Sequence, residues 1–219
     1  MQFKNRVSFK RYSALILFSV GSALAVTQVF ASPVGLKGYV MTIQMTPAVC
    51  EIDSSLKKKR KCLEGYSLNI VGLMPETNQS DCATLSSAKL SPLQSKVVAS
   101  VMPDEYARHS LWANIGGCVP LSASQYFRDI IKKAEQLKIP NDLSVMGTKD
   151  MTLVSLRNQF LKLNPSLTKD AIRFSCQKHK GAAMLTDIHV CYTTKGRYKQ
   201  CPSQMTTTCP SVITIKGAY

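Results

Sequence analysis

The chain predicts an α+β fold stapled by disulfides, and three observations carry that reading. Residues Leu121 to Ile139 repeat apolar side chains at helical spacing. Lys37 to Met45 and Met184 to Tyr192 alternate in the manner of strands. Eight cysteines form an even set. Helices mix with strands that are not contiguous in sequence, which is the mark of α+β rather than of a repeated βα unit. The 219 residues suffice for one domain with a full core.

The N-terminus reads as a leader. Lys4, Arg6, Lys10 and Arg11 form a basic segment, an apolar stretch runs from Ala14 to about Phe30, and Val29-Phe30-Ala31 offers residues small enough for signal peptidase. Gly21, Ser22, Thr27 and Gln28 interrupt the apolar stretch, which favours a cleaved signal over a retained anchor. Residues 1–31 are therefore expected to be a signal peptide and residues 32–219 a single domain. No later segment is long and apolar enough to span a bilayer. The expected destination is the periplasm or the medium.

All eight cysteines follow the leader, as expected in a non-reducing compartment. There is no C-x-x-C and no histidine pair at ligand spacing, so neither a metal nor a cofactor is expected. The cysteine count alone does not choose a connectivity.

In order along the chain, Lys37–Met45 predicts a strand that Pro47 stops. Residues 51–61 are polar, contain the run Lys57, Lys58, Lys59, Arg60, Lys61, and sit between Cys50 and Cys62, which suggests a stapled hairpin loop. Leu68 to Leu73 is strand-like, and residues 76–95 read as a surface loop. The helix from Leu121 starts with a capping box, Ser122 and Gln125, and Pro140 ends it. A further helix is predicted over Met151 to Leu163, and a short one from Thr168 through Phe174. Met184–Tyr192 and Val212–Ile215 are predicted strands.

Formal charge is +15; the leader holds four of the cations and no acid, which leaves +11 for the domain. Such a field favours polyanionic partners, namely RNA, DNA, phospholipid or lipopolysaccharide.

Two segments read as motif skeletons: Ile70-Val71-Gly72-Leu73-Met74-Pro75 and Ser110-Leu111-Trp112-Ala113-Asn114-Ile115-Gly116-Gly117-Cys118. They resemble the HGLWP and HEWEKHGTC blocks of the ribonuclease T2 family. The order of flanking segments agrees: Tyr39 to Cys50 before them, Val101-Met102-Pro103 between them, Ser124 to Phe127 after, then Leu185 to Cys191 and Cys201-Pro202. The resemblance spans residues 37 to about 210. It implies a ribonuclease T2-like fold, a central antiparallel sheet with packed helices, and four bridges: Cys50–Cys62, Cys82–Cys118, Cys176–Cys209 and Cys191–Cys201.

The family cleaves RNA by transphosphorylation to a 2′,3′-cyclic phosphate, using histidines as acid and base and a glutamate and a lysine to stabilise the charged phosphorus. Carried over position by position, Val71, Ser110 and Ile115 stand where histidines are expected, Leu111 where the glutamate is, and Asn114 where the lysine is. Hydrocarbon side chains transfer no protons, and losing one acid or base costs ~10²–10⁴ in rate. Met45 and Met74 replace tryptophans, which weakens base stacking worth ~1–3 kcal/mol per base. Trp112 remains and reads as a core anchor.

The chain has three histidines. His109 lies one residue before Ser110, a rotation of about 100° on a helix, and is a weak substitute for the missing acid or base. His179, between Lys178 and Lys180, reads as solvent-exposed, and His189 as a strand-surface residue. Asn78-Gln79-Ser80 fits a glycosylation acceptor pattern.

The expectation is a catalytically inactive, monomeric, exported protein that binds RNA or another polyanion. Its contact surface would comprise Lys57, Lys58, Lys59, Arg60, Lys61, Arg108, Lys178 and Lys180. The alternatives are a divergent active endoribonuclease and a module that binds a protein or envelope partner. Val71, Leu111 and Ile115 are apolar enough to close the old cleft by packing together, which would favour the last.

Overall fold

Strand β1 (Gly38–Met45) is the seam of the sheet, with β2 (Leu68–Glu76) antiparallel on one side and β5 (Ala182–Tyr192) antiparallel on the other. The computed structural model describes residues 35–144 and 146–217. The expected signal peptide lies outside the described residues. Pro47 ends β1 by sitting in the first turn of helix α1 (Thr46–Ile52). Helix α2 (Arg60–Leu63) precedes β2. Helices α3 (Pro92–Ala99), α4 (Glu105–Ile115) and α5 (Ala123–Gln136) follow it, then β3 (Thr148–Thr152) and α6 (Leu153–Leu163). The chain continues with β4 (Ile172–His179), β5 and β6 (Val212–Lys216).

The strand order is β2-β1-β5-β6-β3, with β4 paired to β5. Pairing is antiparallel except where Met184 of β5 meets Thr214 of β6 in parallel. The expected antiparallel sheet thus carries one parallel contact. The fold is α+β, as the mixed pattern predicts.

Helix α5 does what its sequence requires. Ser122 Oγ accepts from Gln125 N and the Gln125 side chain returns to Ser122 N, a complete capping box. Tyr126, Phe127 and Ile130 are fully buried beneath it. From α6, Leu156 and Phe160 join the same core, where Phe160 packs 6.0 Å from Phe174 of β4.

The edge of the sheet is fastened by one side chain. The Tyr126 hydroxyl accepts from Leu73 N at 3.0 Å and donates to Leu73 O at 3.1 Å. These backbone groups of β2 face away from β1 and would otherwise be buried without partners. Val101 O covers the next donor, Ile70 N, at 2.7 Å.

Four bridges join Cys50 to Cys62, Cys82 to Cys118, Cys176 to Cys209 and Cys191 to Cys201. A native bridge in a domain of this kind is typically worth ~2–5 kcal/mol.

Four local expectations are corrected. The segment between Cys50 and Cys62 is not a hairpin: α1, a 3₁₀ turn at Ser54–Leu56 and α2 fill it. Helix α3 begins inside the expected 76–95 loop, capped by Ser91 Oγ. The expected helix at 168–174 stops after a 3₁₀ turn at Lys169–Ala171, because Ile172 and Phe174 find cross-strand partners in Val190 and Ile188. Met151 likewise belongs to β3, and Thr152 caps α6 instead of lying within it.

Replacing Tyr126 by Phe removes both bonds to Leu73 while keeping the ring. Urea unfolding should show a loss of about 1–3 kcal/mol. A loss under about 0.5 kcal/mol would mean that water or a backbone shift satisfies the strand edge instead.

Candidate functional site

Two elements build the candidate cleft. The first is β2, whose pairing with β1 slips between Thr42 and Ile43: Gly72 opposes Thr42, Ile70 opposes Ile43, and Val71 has no partner. Val71 is thus the extra residue of a β-bulge, a device that turns a side chain out of the regular pleat. It is 43% exposed.

The second element is α4. Asp104 Oδ1 accepts from Ala107 N at 3.0 Å, and Glu105 places a negative charge in the first turn. At its other end the segment 82–84 comes very close. A Cβ on Gly116 would sit 2.5 Å from Thr84 Cγ2 and one on Gly117 2.6 Å from Ala83 O, so glycine is required at both. Gly117 N donates to Cys82 O, and the Cys82–Cys118 bridge locks the approach.

Helical geometry then sorts the α4 side chains. Trp112 is buried 5.6 Å from the Tyr126 ring, with Nε1 donating to Ser86; it is the core anchor its sequence context suggests. Leu111 covers Gly72, where a Cβ would meet both Leu111 methyls at 3.0 Å. Ile115 is only 5% exposed and belongs to the core. Ser110 and Asn114 are exposed, and Asn114 Nδ2 donates back to Ser110 O at 2.8 Å. The three apolar residues do not form one plug: Ile115 packs inward, Leu111 leans on β2, and Val71 stays accessible.

Beside Val71 lies a cavity of about 110 Å³, lined among others by Gln44, Lys61, Asn69, Asp104 and Ala107. Its polar groups are already engaged. Lys61 Nζ donates to Gln44 Oε1 at 2.7 Å, Asn69 Oδ1 accepts from Thr46 Oγ1, and Asp104 caps α4. Burial pushes the Lys61 ammonium below its ordinary pKa, against the attraction of Asp104 and Asp187. No histidine lines this cavity.

The three histidines lie elsewhere. His109 is exposed on α4, 3.7 Å from Glu105, and lines a different pocket with Lys89, Ser95 and Arg108. His179 is partly buried, 3.9 Å from Glu51, rather than free in solvent. His189 faces away from the core residues Ile188 and Val190, as its alternation suggests, but it is not fully open. It sits half-buried inside the sheet, with Nδ1 3.1 Å from Thr42 Oγ1 and Nε2 3.0 Å from Ser175 Oγ. Desolvation lowers its pKa, partly offset by Asp187. His189 is less open than a strand-surface residue is expected to be because β4 and β1 flank β5 on both sides.

The expected basic surface survives in part. Lys57, Lys58, Lys59 and Arg60 are exposed, with Arg60 ion-paired to Glu64. Lys178 and Lys180 are exposed at the β4–β5 turn, where Lys180 and Gly181 adopt positive φ as a tight hairpin requires. Lys180 also reaches Glu51 at 3.6 Å, on the connection that carries Lys57. Arg108 does not belong to this surface. It is 4% exposed, and its guanidinium donates to Met102 O at 2.5 Å and Ser95 Oγ at 3.4 Å. Lys61 is likewise turned inward. Among the described residues no group of three or more His, Cys, Asp or Glu converges on a metal-sized site, and no helix is long and apolar enough to cross a membrane.

Sequence reading missed a second basic cluster, Arg157, Lys169 and Arg173, which shares one pocket. These residues come from three separated segments and form no motif, so no sequence signal marks them.

No protein-family model matches the chain, and no curated protein matches it in sequence. Solved structures do match. RNase MC1 from the seeds of bitter gourd superposes with a TM-score of 0.62 at 14% identity, over 81% of this chain and 98% of that one. Japanese pear S3-RNase gives 0.62 at 19% identity, over 84% and 100%. An RNase-related protein from Calystegia sepium gives 0.60 at 14% identity, over 83% and 98%. Variants of RNase MC1 have been solved with 5′-UMP and with 5′-GMP. The chain therefore has the ribonuclease T2 fold.

The His189 environment makes a prediction about acid stability. Its folded pKa is depressed, so the unfolded chain takes up a proton that the folded chain refuses. The stabilisation is present above the unfolded value near 6.5 and is lost as pH falls through the folded value. His189→Gln should flatten the fall in unfolding free energy as pH drops below about 6.5. An unchanged slope would show that the imidazole is not the group responsible.

Proposed function

We propose that this chain is an exported, non-catalytic protein on the ribonuclease T2 fold that binds RNA, or a polyanion like it, through a basic surface. The observation that carries this reading is the chemistry of the cleft. The bulge presents a valine, α4 presents leucine, serine and asparagine, and Ile115 is buried. None of these side chains exchanges protons near neutral pH. His109 does not substitute for them, because the helical rotation puts it on another pocket, beside Glu105.

Two observations support a polyanion as partner. Formal charge is strongly positive, and four consecutive cations, Lys57 to Arg60, are exposed. The same fold holds nucleotides in RNase MC1 variants, which favours RNA among polyanions. Export is supported by the basic and apolar leader pattern and by four bridges.

The test is equilibrium binding of labelled single-stranded RNA between about 50 and about 200 mM salt, with the strand recovered and sized afterwards. Affinity should fall linearly on a log–log plot while the RNA stays intact. Replacing Lys57, Lys58, Lys59 and Arg60 by Gln should reduce the slope by about 0.7 for each phosphate contact removed. Salt-independent binding, or a variant with the parental slope, would sink this surface as the RNA contact.

A further inference from the structure

A pocket of about 370 Å³ opens at the start of β4, lined by Arg157 of α6, Lys169, Asp170, Arg173 of β4 and the loop 203–207. Strands β1 and β5 lie between β4 and β2 in the sheet, about 14 Å of strand spacing from the bulge that carries Val71. This pocket has no part in the cleft described above.

Three cations here face one carboxylate, and among the described residues none of the three is ion-paired. Two of them are nonetheless held in place. Arg173 donates through Nε to Met205 O at 3.1 Å and through Nη1 to Lys169 O and Ile172 O, which fixes the guanidinium plane and leaves Nη2 for another acceptor. Arg157 lies over the Phe174 ring, its guanidinium carbon 5.7 Å from the centroid. Its Nε is buried, and no described residue accepts from it. A buried donor of a charged group is costly to leave unpaired.

The loop completing the pocket is pinned from both sides. The Cys191–Cys201 and Cys176–Cys209 bridges bracket it, Thr208 N donates to Phe174 O, and Phe174 N donates to Thr207 Oγ1. Ser203, Thr206 and Thr207 bring hydroxyls to the wall. Oriented guanidiniums, one ammonium and hydroxyls are the donor set that takes a tetrahedral oxyanion.

Asp170 narrows the choice. A carboxylate repels an anion that has no proton to give, but it accepts from an anion that keeps an O–H. Inorganic phosphate keeps one at neutral pH, and a terminal phosphate monoester keeps one only near its second pKa of about 6. Sulfate and an internal phosphodiester keep none.

We propose that this pocket is a binding site for a protonated phosphate, either inorganic phosphate or a terminal monoester. The proposal stands apart from the RNA reading, since neither the cleft nor Lys57 to Arg60 takes part.

The test is calorimetric titration of the oxidised protein with inorganic phosphate and with sulfate at the same ionic strength. Phosphate should bind at least about tenfold more tightly than sulfate. Arg157→Met should weaken phosphate about tenfold or more. Asp170→Asn, which removes the repulsion and adds a donor, should raise sulfate affinity and shrink the preference; a misfolded variant cannot produce that gain. Two short RNAs of one sequence, with a 5′-phosphate and with a 5′-hydroxyl, measured near pH 6 identify the source. Arg157-dependent preference for the phosphorylated strand assigns a monoester, and equal binding of both beside phosphate binding assigns the free ion. No phosphate binding, full binding by Arg157→Met, or an unchanged preference in Asp170→Asn would each overturn the proposal.

Discussion

The geometry of this protein depends on the contact between Tyr126 and the backbone of Leu73. Strand β2 is an edge, and an edge strand leaves a row of amides without partners. One hydroxyl accepts from Leu73 N and donates to Leu73 O, so the edge is closed by a side chain rather than by another strand. Two residues away, β2 bulges at Val71. The same tyrosine packs against Trp112, which holds α4, and against Phe127 within α5. The bulge, the helix across from it and the long helix behind it are thus referred to one ring. A second tie, the Cys82–Cys118 bridge with the glycine pair at Gly116 and Gly117, fixes the far end of α4.

This frame sets where side chains stand, and their identity sets what they can do. A bulge aims a side chain, and the chemistry follows from which side chain it aims. Here it aims Val71 at a small cavity whose one ammonium, Lys61, is already spent on Gln44. Across from it Leu111 covers Gly72, and Ile115 has joined the core. The residues that shape the cleft also pack the fold, and the side chains the cleft presents are hydrocarbon and neutral polar groups.

Much of this was legible in the sequence, for physical reasons that differ by element. Helix α5 is long, periodic and capped, and β1 and β5 alternate, so local pattern and tertiary placement agree. The glycines and cysteines of the two motif skeletons are legible because close approach and bridging tolerate few substitutes. Helix α3 was hidden, since Leu93 and Val97 are exposed and its apolar stripe is slight. Residues 168–174 look helical until Ile172 and Phe174 find β5 as a partner, a long-range choice no window contains. Arg108, Lys61 and His189 read as surface groups because polar residues usually are. Arg108 is drawn inward by Met102 O and Ser95 Oγ, Lys61 by Gln44 Oε1, and His189 is flanked by two strands. The cluster of Arg157, Lys169 and Arg173 exists only once α6, β4 and the stapled loop have met.

The decisive measurement is cleavage of single-stranded RNA by the purified, oxidised protein from about pH 4 to about pH 8, the range in which imidazole and carboxyl catalysts act. A cleft that presents Val71, Ser110, Leu111 and Asn114, with Ile115 in the core, should give no turnover above a protein-free blank at any pH, and His109→Ala should be indistinguishable from the parent. Turnover that co-purifies with the protein and disappears in His109→Ala would contradict this reading and put a working acid or base on the exposed face of α4.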